Sequence, residues 1–169
     1  MNRNKTFRIA LCGILTSIML VLGFIESQFP LPVPVPGIKL GLSNTILLFA
    51  VYMLDVPTAF VLMLLKVTLS GLLFGGVSAM LYALAGGVVS VAVMSILSRP
   101  RRMSVIVVSM LGGAAHNAAQ TILAMAVTRT DLSVYLGILL LVGLACGALT
   151  GVCAIPVMKH VRLRNGRSK

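Results

Sequence analysis

Apolar residues dominate this chain in long stretches, separated by short polar or proline-containing gaps. Stretches so long and so nearly free of charge read as membrane-spanning helices. Six fit, at residues 7–25, 40–54, 58–74, 77–97, 105–127 and 132–158. The expected fold class is therefore all-α: a polytopic six-helix transmembrane bundle forming a single integral membrane domain over 1–169. At about 1.5 Å per residue, most of these stretches cross a hydrocarbon layer roughly 30 Å thick. The second is short and ends at Asp55 and Pro57, so it is expected to begin inside the membrane rather than at its surface. The sixth is long enough to tilt or to project beyond the bilayer. No internal repeat relates the two halves. The basic start followed by an apolar run superficially resembles a secretion signal. That run continues to Ile25 without a small-residue cleavage site, so it is read as a retained first helix.

The polar exceptions carry the functional information. His116, Asn117 and Gln120 interrupt the fifth stretch near its middle, with His116 and Gln120 one helical turn apart and Asn117 adjacent. On a helix, all three can face one cavity. Lys66 lies halfway along the third stretch. A lysine at the centre of a spanning helix costs about 2.5–3.5 kcal/mol on insertion scales, and polar groups at that depth suggest a functional site. Lys66 can reach toward Glu26, give up its proton, hydrogen-bond to the His116 cluster, or meet an anionic ligand. The fifth-helix cluster can also be read as hydrogen-bonding glue between helices, although each such bond contributes only about 0.6 kcal/mol on average.

Between the first two stretches runs a proline-rich outer segment, with Pro30, Pro32, Pro34 and Pro36 at alternate positions. This spacing forbids a helix and favours a stiff, extended path, and Pro36-Gly37 signals a turn. Lys39, Ser43 and Asn44 then open the short second helix. Backbone N–H groups at a helix start, beside a lysine, form an anion site, and transporters bind substrate where a short helix begins at membrane depth. Alternatively, Lys39 snorkels to the surface or pairs with Glu26, and Ser43 and Asn44 cap the helix.

Composition agrees with the hydropathy pattern. The chain is 59% hydrophobic and 10% charged, and carries a net charge of +11. Of its 14 basic residues, 11 fall in three clusters: Arg3, Lys5 and Arg8; Arg99, Arg101 and Arg102; and Lys159, Arg162, Arg164, Arg167 and Lys169. Each cluster flanks an apolar span, as charges that set topology do. This places both termini and the loop at 99–102 in the cytoplasm. The short basic tails contain no aromatic stacking residues and no recognisable module, which argues against nucleic acid. Cys12, Cys146 and Cys153 are isolated and read as packing residues; neither a metal site nor a cofactor is expected. Gly143, Gly147 and Gly151, with Ala114 and Ala118 on the fifth helix, form small-residue ridges suited to close packing inside the bundle or against a partner subunit.

Several of these stretches together resemble a known family. Glu26-Ser27, Pro36-Gly-Ile-Lys-Leu-Gly-Leu-Ser-Asn44, Leu73-Phe-Gly75 and Gly113-Ala-Ala-His-Asn-Ala-Ala-Gln120 look like the bacterial Gx transporter family, also labelled heptaprenyl diphosphate synthase component I. The resemblance spans nearly the whole chain. It implies similarity to the substrate-binding membrane subunits (S components) of energy-coupling-factor transporters, six-helix bundles that capture vitamins from outside. It carries over the shared polar residues Glu26, Lys39, Asn44, His116, Asn117 and Gln120. Those subunits dock their coupling partner through an Ala-x-x-x-Ala face on the first helix. Here Ala10 is followed by Ile14, with Gly13 and Ser17 as possible substitutes.

The resulting expectation is a transport-class protein of the bacterial inner membrane that binds a small polar or anionic molecule from outside. Its substrate-binding residues would be Glu26, Lys39, Asn44, Lys66, His116, Asn117 and Gln120, with no catalytic residue among them. With no nucleotide-binding loop, any ATP drive would come from a partner coupling subunit or ATPase. The rival reading is a membrane component of a quinone or flavin extracytosolic electron-transfer pathway, or of a prenyl-lipid pathway, working with a membrane partner. The family resemblance implies that association. Prenyl diphosphate synthesis itself requires Mg²⁺ held by clustered carboxylates. Glu26, Asp55 and Asp131 are the only acidic residues and are widely separated, so the chain is not expected to be the catalyst.

Overall fold

A computed structural model describes residues 3–28, 43–99 and 103–166. The proline-rich segment and Lys39 lie outside the described residues, as does part of the second and third basic clusters. Every element among the described residues is helical. In chain order these are α1 (Arg3–Gln28), α2 (Asn44–Met53), α3 (Val56–Ser70), a π-helical turn (Gly71–Gly75), α4 (Gly76–Ser98), α5 (Val105–Thr128) and α6 (Ser133–Gly166). Four stretches, Thr6–Gln28, Val56–Ser98, Val105–Thr128 and Ser133–Val161, are long and apolar enough to cross a membrane. This is a multi-pass membrane protein. Its exposed large apolar residues, among them Ile14, Val21, Leu72, Ile96, Ile122, Leu141 and Val152, are the surface that a lipid-embedded bundle presents.

Helical residues follow one another from Val56 to Ser98 with no loop between them, yet α3 and α4 are not one rod. Gly76 has φ 77° and ψ 165°, a conformation open to glycine because it lacks Cβ. The chain reverses there. Gly71 consequently packs against Met80 and Gly87 against Met63. A straight helix would place Met63 and Gly87 about 36 Å apart.

α2 and α3 meet at Asp55, whose extended backbone makes it the N-cap of α3. It accepts from Thr58 N at 2.8 Å and from Thr58 Oγ1 at 2.6 Å. Pro57 sits in the first turn of α3, where its missing N–H costs nothing. Arg8 of α1 forms an ion pair with Asp55, which places the start of α1 beside the α2–α3 turn. α3 therefore begins at Val56, two residues before the hydropathy boundary.

α2 determines where the core sits. It has 10 residues, a length of about 15 Å, or half the hydrocarbon thickness. Its Leu47, Leu48, Ala50 and Val51 pack with Leu62 and Met63 of α3, Val91 and Met94 of α4, Val108 of α5, and Ala154 and Met158 of α6. The close-packed core thus occupies the half of the bundle near Asp55 and the basic clusters. α2 does not extend into the other half, and a cavity forms there.

Candidate functional site

The cavity has a volume of about 660 Å³ and is lined from every helix. Its floor is set by registration. Asn44 and Lys66 are each eleven residues from Asp55, His116 is eleven residues into α5 from Val105, and Gly86 is twelve residues from Ser98. Eleven helical residues rise about 16 Å, half of a roughly 30 Å core. Four helices therefore bring these positions to one level near mid-depth. Above the floor, Gln120, Thr121 and Ala124 of α5, Ser70 and Phe74, Tyr82 of α4, Glu26 of α1, and Leu132 and Tyr135 at the start of α6 line the walls. The cavity extends toward the end of the bundle where α1 finishes, the π turn lies, and α5 passes to α6.

Six of the seven residues singled out from the sequence line this one space: Glu26, Asn44, Lys66, His116, Asn117 and Gln120. Lys39 lies outside the described residues. One local reading is extended and one corrected. Lys66 Nζ donates to Asn44 Oδ1 at 2.6 Å, joining two of the residues expected in the site. Ser43 makes no capping hydrogen bond to α2. Its hydroxyl instead donates to Glu26 Oε2 at 3.3 Å. A carboxylate of the chain itself therefore stands at the start of α2, where the sequence suggested an anion site. The site consequently presents both a lysine amine and a carboxyl group.

On α5 the polar residues divide their work. Asn117 Nδ2 donates to the carbonyl of Leu139 at 2.7 Å, tying α5 to α6, so part of the helix-glue reading holds for this residue. Its own carbonyl accepts from Thr121 Oγ1 at 2.7 Å. His116 lies against the Gly86 backbone of α4 and near the Gln120 side chain. A Cβ on Gly86 would come within 2.8 Å of His116 Nε2, so a side chain there would have to displace the imidazole.

Sequence reasoning missed Gly86, Ser70, Phe74, Tyr82, Thr121 and Tyr135. Gly86 and Gly87 were visible as paired glycines within an apolar run, a signal of close approach. Phe74 stood in the Leu73-Phe-Gly75 motif but was not assigned to the site, and Tyr82 and Tyr135 had no distinguishing pattern. The small-residue ridge on α6 packs inside the bundle. Gly143 meets Gly113 and Ala114, Gly147 meets Ser109 and Met110, and Gly151 meets Ile106, mostly backbone against backbone.

The family model described as "Heptaprenyl diphosphate synthase component I" matches residues 15–157. The chain belongs to this family. The matched stretch contains every residue that lines the cavity, from Met19 to Leu139. Neither a curated protein nor a solved structure matched the chain.

Proposed function

We propose that this member of the heptaprenyl diphosphate synthase component I family is a substrate-binding membrane subunit of the transport class. It captures a small polar or anionic molecule from the face opposite its basic clusters. The observation that carries this reading is the cavity of about 660 Å³, with a floor of Asn44, Lys66, His116 and Asn117 at mid-depth and Gln120 in the wall above it. Polar groups so expensive to hold in hydrocarbon are best explained by a guest that uses them. The Lys66 side chain meets an acceptor or anionic group, Gln120 and His116 orient it, and Glu26 meets a donor. Six helical segments lie in the membrane, α2 reaching only from mid-depth to the basic end. Both termini face the cytoplasm of a bacterial cell, as the basic clusters favour and as the Arg8–Asp55 pair at one end supports. The cavity then opens outward, and energy for transport comes from a partner.

A second reading has its own support. Phe74, Tyr82, Leu132, Tyr135 and Leu139 make part of the cavity wall apolar or aromatic, and the family description points to prenyl chemistry. On this reading the protein is a non-catalytic membrane component that holds a quinone or polyprenyl species for a partner enzyme. Glu26 lines the cavity, Asp55 caps α3, and Asp131 accepts from Ser133 N at the start of α6 at 2.9 Å. That dispersal does not suit a magnesium-dependent synthase.

Native mass spectrometry of protein purified from its membrane separates the two. A water-soluble polar ligand that is retained by wild type and lost in Lys66→Met and Gln120→Ala supports capture for transport. A quinone or polyprenyl adduct that survives Lys66→Met supports the second reading. If no bound species appears and both variants behave as wild type, both readings fail.

A further inference from the structure

Beneath the ligand cavity lies a second, smaller one of about 60 Å³. Five residues line both: Asn44, Lys66, Val67, His116 and Asn117. They form the floor of the upper space and the roof of the lower. The other residues lining the lower chamber lie on the basic-end side of that layer, among them Ser90 of α4, Ser109 of α5 and Thr150 of α6. These hydroxyls come from three helices and converge on one small space in the most tightly packed part of the bundle. Ser90 is 9% exposed and Ser109 3%, and both border this space.

An apolar void of this size stays dry, whereas one lined by several polar groups holds water that bonds to them. The space accommodates a few water molecules. We propose that this lower chamber is an internal hydration site. Its waters are held by Ser90, Ser109 and Thr150, and they solvate the Lys66 amine and the His116 layer from the side away from the ligand. The polar path through the bundle then does not end at the cavity floor. It continues to Ser90, eight residues or about 12 Å from the end of α4 at Ser98. The inference does not depend on which molecule occupies the upper cavity, so it can fail or stand separately from the proposed function.

The chamber contains its own reporters. Met63 and Met94 line it and are 0% and 5% exposed, whereas Met158 is equally buried at 4% but lines neither cavity. Brief X-ray pulses convert bound water to hydroxyl radicals, which oxidise adjacent methionines. Mass spectrometry of the wild-type protein in detergent should find Met63 and Met94 oxidised about tenfold faster than Met158, as bound water beside them requires. In Ser90→Ala/Ser109→Val that rate should fall about fivefold as the site loses its polar partners. Met19, which lines only the upper cavity, should keep its rate. Met63 and Met94 as protected as Met158 in wild type would overturn the proposal without reference to any variant. So would equal slowing at Met19 and in the chamber, because labelling would then come from the upper cavity.

Discussion

α5 and α6 run side by side for most of their length, yet their two halves behave differently. Near the basic end, Gly113, Gly143, Gly147 and Gly151 let the two backbones touch. Toward the other end the same helices part around the cavity, contributing Gln120, Thr121 and Ala124 from one and Leu132, Tyr135 and Leu139 from the other. Asn117 bridges to the Leu139 carbonyl where the seam opens. Lipid provides little hydrophobic drive to bring helices together, so closure depends on how near small residues let backbones approach. Where the glycines stop, polar and aromatic side chains hold a space open. One helix pair thus supplies both the rigid seam and the binding wall.

Substitutions test how sharply these halves differ. The largest effect is expected at the seam, where Gly147→Leu would drive a side chain into the Ser109 backbone of α5. Overpacking of this kind costs about 1–3 kcal/mol or more, and the purified protein should lose its monodisperse peak or melt well below wild type. A variant that stays monodisperse and melts like wild type would show that the helices can separate freely. Gly86→Ala comes next, since its Cβ would meet the His116 ring at 2.8–2.9 Å. A flexible ring can move where a backbone cannot, so a loss of about 1–2 kcal/mol is expected, together with loss of any ligand that Lys66→Met also loses. Melting unchanged and ligand retained would remove His116 from the site.

The bond across the floor should give a measurable coupling. Asn44→Ala leaves the Lys66 ammonium without the acceptor it has at 2.6 Å, a cost of about 1–3 kcal/mol. In a Lys66→Met background the same change should cost less, with a coupling of at least about 0.5 kcal/mol in a double-mutant cycle. Purely additive effects would mean the bond contributes nothing.

At the basic end, hydrogen bonds from Thr58 and the nearby Arg8 hold the Asp55 carboxyl below its ordinary value. A carboxyl so depressed stabilises the fold above its unfolded pKa of about 3.9, and that contribution disappears as pH falls through the lower folded value. Wild type should therefore lose more thermal stability below about pH 4 than Asp55→Ala. At neutral pH the variant should be about 1 kcal/mol less stable, the usual cost of losing an N-cap. The exposed Arg8 pair should add little to this. Identical acid profiles for the two proteins would remove Asp55 as the cause. The smallest effect is expected at Gly137 of α6, where an added Cβ meets nothing within 4 Å. Gly137→Ala should change stability by less than about 0.5 kcal/mol, and a large loss there would mean that the outer half of α6 has a neighbour of its own.

Much of the site was legible in the chain because its solvent is lipid. In hydrocarbon a polar side chain is conspicuous, so Lys66, His116, Asn117 and Gln120 stood out against their neighbours without any structural information. The reversal near Gly76 was legible as the break between the apolar spans 58–74 and 77–97, and the seam as glycines at four-residue spacing. Tyr82 and Tyr135 were not, because an aromatic residue near a helix end looks the same whether it faces lipid or a cavity.

By itself, the sequence determined that the chain is helical and membrane-embedded, and which polar groups it holds at depth, since both follow from the cost of leaving backbone or charge unsatisfied in hydrocarbon. Only the tertiary structure decided that Asn44, Lys66 and His116 meet at one level, that Lys66 bonds to Asn44, and that a short α2 packs one half of the bundle and leaves the other hollow. Those outcomes depend on the register between helices. That register is set by side-chain fit between elements distant in sequence, which hydropathy along a single strand of text does not record.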